Sequence, residues 1–102
     1  VALFGAIEAI TAQNAGANAP IAKTTSLALV SSDANNKQAD LPAIADVDLG
    51  HTILIASVGG ADVVINTPGN ETINGAGTIT TGENTAVLCV KATTTTWVAV
   101  IA

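Results

Sequence analysis

The side chains best suited to chemistry are few: one histidine, His51, one cysteine, Cys89, and an acidic group at Asp40, Asp46 and Asp48. A base and a nucleophile must sit within hydrogen-bond reach, with a third group orienting the base. His51 opens the run "HTILIASV", where Thr52 and Ile53 supply no evident third member. Cys89 lies in "AVLCV", the setting of a buried apolar thiol. No catalytic residue is assigned on this pattern. Calcium takes about six to eight oxygen ligands, and Asp46 and Asp48 with Asp40 upstream fall short of that set. These acids read as solubilising a loop, so neither a metal nor a cofactor is expected.

Other reaction classes meet similar obstacles. The run "GGADVV" lacks the Lys-Ser/Thr that completes a phosphate-binding loop. Glycoside hydrolysis would need paired carboxylates in an aromatic-lined cleft, yet Phe4 and Trp97 are the only aromatic residues. Trp97, in "TTWVAVI", is the largest apolar side chain and reads as core or interface rather than as a ring platform for a ligand. Asn70-Glu71-Thr72 fits a glycosylation sequon and reads as turn chemistry. The chain is expected not to be an enzyme.

Charge and hydropathy narrow the partners. The net charge is -5, and the three basic residues, Lys23, Lys37 and Lys91, are scattered. A phosphate backbone requires clustered Lys or Arg, so nucleic acid is not an expected partner. Mean hydropathy is high at +0.54, but much of it comes from alanine. No apolar run approaches the roughly 20 residues of a membrane span, so no membrane partner is expected. The opening "VALFGAIEAI" carries Glu8 and no basic leader, which makes it a poor secretory signal and leaves a first strand, a short helix or a docking arm. A first residue other than Met suggests processing before Val1, or a fragment.

The elements that would position these side chains are short strands and tight turns. At 102 residues the chain fits one domain, divided here into an N-terminal arm and connector (1–22) and a β-domain (23–102). "TTSLALVSS" predicts a strand, "DANNKQAD" a loop, and Asp48–Gly50 a turn. "HTILIASV", "GG" and "ADVVINT" predict a hairpin with a type I′ turn at Gly59-Gly60. Within it Ile53 and Ile55 share one face while Leu54 and Val58 share the other, so both faces are partly apolar. A core on one side and a subunit contact on the other would account for that. Pro68-Gly69 fits a type II turn, Asn74-Gly75 another tight turn, and residues 85–91 and 96–101 the last two strands. The expected fold class is all-β, a small antiparallel sandwich or barrel-like domain of the jelly-roll or β-tulip kind, with an extended N-terminal arm.

Residues 41–102 also resemble a module of tailed-bacteriophage structural proteins, found in tail-fibre parts and in small capsid-exterior proteins. The shared marks are the "GHT" strand start, the Gly/Ala-Asp hairpin, "PGNETING", the alternating Thr strand and the closing "TWV". The step before the last strand departs from the pattern, being "KATTTT", so no surface role carries over to it. The resemblance implies a homotrimeric β-domain that decorates and cements the outer surface of a capsid, with the major capsid protein as partner. A receptor-binding module of a fibre or tail is the alternative. On the decoration reading, favoured by a length near one domain, Val1, Leu3, Phe4, Ile7 and Ile10 would pack on a neighbour. Ile53, Ile55, Val63, Ile65 and Trp97 would form core or trimer contacts.

Overall fold

The computed structural model describes residues 6–14, 16–17 and 19–101. The strands run in the order β1 (Ala6–Thr11), β2 (Thr25–Ser31), β3 (Lys37–Asp40), β4 (Thr52–Ser57), β5 (Val63–Asn66), β6 (Thr72–Ile73), β7 (Thr78–Thr81), β8 (Ala86–Lys91) and β9 (Thr96–Ile101). One 3-10 turn, Ile44–Asp46, lies between β3 and β4. The strands form a six-stranded sheet, β1-β2-β4-β8-β9-β6, and a three-stranded sheet, β3-β5-β7. The fold is all-β, as the short alternating runs require.

Strand direction differs from the antiparallel expectation. Four pairings are parallel, β1 with β2, β2 with β4, β3 with β5 and β6 with β9, while β4 with β8, β5 with β7 and β8 with β9 are antiparallel. The parallel pairs arise because the chain alternates between sheets. It leaves β2 for β3, returns to β4 beside β2, and crosses again to β5 beside β3, so successive passes stack in the same direction. Parallel neighbours need such a long crossover, which a two-residue turn cannot supply.

The Gly59-Gly60 hairpin is therefore not formed. β4 and β5 lie in different sheets, and neither glycine has the positive φ that a type I′ turn demands. Gly59 serves close approach instead: a Cβ there would lie 2.8 Å from the Ser32 backbone nitrogen and 2.9 Å from its oxygen. Around it, the Val58 amide donates to Val30 O (2.9 Å) and the Ser57 hydroxyl to Ala61 O (3.1 Å). Two apolar runs joined by a glycine pair look alike locally whether the chain reverses within a sheet or crosses to another. Here the backbone of β2's end decides.

A two-residue turn with positive φ at both central positions occurs at Asn74-Gly75, with φ of 53° and 85°. Ile73 and Ala76 exchange both backbone hydrogen bonds across it, at 2.6 and 2.9 Å. Gly69 has φ 71°, matching the second central position of the Pro68-Gly69 turn. The Asp48–Gly50 turn also forms, closed by the His51 amide on Asp48 O (3.0 Å), with Gly50 at φ 84°.

Two further segments differ from the sequence reading. "KQAD", placed in a loop for its polarity, is β3; it is paired with β5 and buries only Ala39. Residues 6–21, read as arm and connector, are built into the domain where they are described. β1 pairs with β2, Gln13 bridges to Gln38 and Pro20 to Asp40, and Ala12, Ala19 and Ile21 are buried. Alanine's small side chain lets this backbone lie against β3. Val1, Leu3 and Phe4 lie outside the described residues.

One apolar core fills the space between the sheets. Ile53, Ile55, Val63, Ile65 and Trp97 are all 0% exposed, packed with Ala28, Val30, Ala39, Ile73, Val87 and Cys89. The single tryptophan supplies the bulk that a chain of small β-branched residues otherwise lacks.

Candidate contact surface

The groups suited to chemistry do not converge. Cys89 is completely buried, and burial pushes its thiol up to about 12, which keeps it neutral and unreactive. His51 is partly exposed; its carbonyl accepts from the Lys91 amide (2.9 Å), while its Nε2 is buried without a hydrogen-bond partner among the described residues. Asp46 and Asp48 are exposed in the loop before β4. Asp40 is engaged elsewhere, its carboxylate accepting from the Ala19 amide (3.3 Å) and from Asn66 Nδ2 (3.1 Å). Among the described residues no three His, Cys, Asp or Glu side chains gather where they could hold a metal. A depression of about 370 Å³ lies between Pro20, Asp40, Leu41, Pro42, Ala43, Asn66 and Pro68. The paired Asp40 and Asn66 are the polar side chains among its described lining residues.

What the described residues do assemble is a surface. Along the long strands of the six-stranded sheet, alternate side chains enter the core and the others face outward. The outward set is Ile7, Ala9 and Thr11 on β1, Leu27, Leu29 and Ser31 on β2, and Thr52, Leu54 and Ala56 on β4. It continues with Ala86, Leu88 and Val90 on β8 and Thr96, Val98 and Val100 on β9. None of these positions is charged, in a chain of net charge -5.

Strand register lines these residues up. Ile7 lies beside Leu27, Leu27 beside Leu54, Leu54 beside Leu88 and Leu88 beside Val100, so five large apolar side chains form one row across five strands. The row alongside it is mostly small: Ala9, Leu29, Ala56 and Ala86. Ile7 (66%), Val98 (43%) and Val100 (55%) are strongly exposed, and the leucines are half-buried. A sheet with one face on a core and one in water alternates apolar with polar residues. This sheet does not.

Polar residues fix the sheet behind that surface. Lys91, at the end of β8, is buried, and its Nζ donates to Ile44 O (2.8 Å) and Val47 O (2.7 Å). Glu71 Oε2 accepts from the Ile44 amide at 2.9 Å. The 3-10 turn is thus held by a carboxylate at its start and an ammonium at its end, the signs that its backbone dipole favours. The Asn74 side chain acts as an extra ladder rung: Nδ2 donates to Ala99 O and Oδ1 accepts from the Ala99 amide, both at 2.9 Å. It prolongs the two-residue β6 beside β9. Glu8 Oε1 accepts from the Thr25 hydroxyl (2.6 Å) and the Ala22 amide (3.0 Å), tying β1 to the start of β2.

Of the residues expected at a neighbour contact, Ile7 is exposed within the outward row, whereas Ile10 turns inward and packs on the core. Ile53, Ile55, Val63, Ile65 and Trp97 are core. The sequence reading missed Leu27, Leu88, Val98 and Val100 as one surface, although the apolar outward position of Leu54 was a partial signal. It also missed Lys91, whose acceptors are brought to it by a loop distant in sequence. Compared with known proteins, the chain matches no family model, no curated protein and no solved structure.

Proposed function

We propose that this chain is a structural protein of a bacteriophage virion, one that decorates and stabilises the outer surface of the capsid as a homotrimer bound to the major capsid protein. The observation that carries the reading is the charge-free outward face of the six-stranded sheet. Contiguous exposed apolar surface of this kind marks a site of protein contact rather than of solvation. The resemblance of residues 41–102 to phage capsid-exterior and fibre modules supplies the setting.

The reading is non-enzymatic and assigns the chain no cofactor. Cementing requires a rigid body, and the hydrogen bonds from Lys91, Glu71 and Asn74 side chains tie the turns to the sheet. Binding to the assembled shell stabilises it by mass action. A fibre receptor module is the alternative that the same resemblance offers; it would lack Trp97 as a ring platform, since that side chain is fully buried.

Heating particles with and without the protein tests the proposal. Particles carrying it should release their genome at a higher temperature than stripped particles, and re-adding the purified protein should restore the difference. Equal heat resistance in all three preparations would overturn the reading.

A further inference from the structure

The shell reading leaves open which surface joins one copy of the chain to another. We infer that the outward face of the six-stranded sheet packs on the same face of a second copy of this chain, through the row Ile7, Leu27, Leu54, Leu88 and Val100. The inference rests on the proposed assembly role for its setting.

Three observations select a second copy as the occupant. The first is area. The protein measures 34 × 33 × 21 Å, and this sheet is the larger of its two, with six strands against three. Five strands about 4.8 Å apart and about 20 Å long give a flat footprint of roughly 480 Å². A pair of such faces brings about 1,000 Å² together, the least that a specific interface buries. Ridged side chains present more than the flat footprint.

The second is relief. The row of large side chains stands beside a lower row in which Ala9, Ala56 and Ala86 are the small positions. A neighbouring copy about the threefold axis can set its ridge in that trough, as the inner faces of packed sheets interdigitate. The third is charge. A chain at -5 repels its own copies over its charged surfaces, so close approach favours a face without charge. The partner face must itself lack charge, because a buried unpaired charge is costly. A second copy of this face meets that requirement.

Sedimentation of the purified chain, with no particle present, tests the inference separately from the capsid reading. Wild type at tens of micromolar should sediment as a closed trimer, with this face of each copy turned to the threefold axis. Leu54→Lys and Val100→Lys should each sediment as monomers, with at least a tenfold loss of association, while keeping the wild-type circular-dichroism spectrum. Leu54→Met should remain assembled. Val100 is 55% exposed, so Val100→Lys keeps the test valid if Leu54→Lys fails to fold. A monomeric wild type, or lysine variants that remain assembled at wild-type mass, would overturn the inference. Either result leaves the particle-heating experiment to decide the capsid reading on its own.

Discussion

The two faces of the six-stranded sheet use the same strands and are both apolar, but they are built differently. The inner face carries Val30, Ile53, Ile55, Val87, Cys89 and Trp97, sealed against the second sheet. The outer face carries leucine, valine and alanine in aligned rows, half-buried or exposed. One face completes the fold within a single chain; the other is left uncovered by the described residues. The contrast teaches that alternation alone does not separate core from surface. A strand apolar at both parities can carry a second contact as well as a core.

Substitutions at neighbouring positions on opposite faces sharpen the contrast. The largest effect is expected for Trp97→Ala, which empties the bulkiest core site and should cost about 3–5 kcal/mol in denaturant unfolding. Val98→Thr, one residue along and facing out, should change the stability of the monomer by less than about 0.5 kcal/mol. Comparable losses for the two would erase the distinction between the faces.

The polar support of the sheet comes next. Lys91→Met keeps most of the side-chain volume but leaves the Ile44 and Val47 carbonyls without their ammonium. It should cost about 2–4 kcal/mol, since Val47 O loses its ammonium partner and Ile44 O keeps only the long contact from the Val47 amide (3.5 Å). Hydrogen exchange should show the loss concentrated at the Val47 and Gly50 amides. Gly59→Ala should cost about 1–3 kcal/mol, because its Cβ would press on the Ser32 backbone where the chain crosses between sheets. A neutral result there would mean that the crossing does not approach β2 as closely as described.

The smallest effect is expected from pH. The folded thiol of Cys89 stays neutral up to about 12, whereas the unfolded thiol ionises near its ordinary value of 9.0. The unfolded state therefore loses its proton first, and stability should fall as pH rises past about 9, with no contribution from this group at neutral pH. Cys89→Ala should show a lower baseline and a shallower fall between pH 9 and 10. In the native protein at pH 8, a thiol reagent should leave Cys89 unmodified until denaturant is added.

Much of the local structure was legible in the sequence. β2, β8 and β9 follow from their apolar alternation, and Pro68-Gly69 and Asp48–Gly50 from residues that tolerate the required φ. The burial of Trp97 and Cys89 follows from side-chain chemistry. Strand partners were not legible, because β2 with β4 and β3 with β5 pair across long separations that leave no mark at the glycine pair between β4 and β5. β3 was hidden by its polarity; three of its four side chains are only half-buried. The contact surface was half legible: Leu54 pointed to it, but only register shows Ile7, Leu27, Leu88 and Val100 in the same row.

The most direct test of the account is a density map of the intact virion at a resolution that separates strands. The domain is expected on the outside of the capsid around a threefold position, with the outward face of the six-stranded sheet covered by a neighbouring copy. A map showing the domain elsewhere in the particle, or on the capsid with that face bare to solvent, would contradict it.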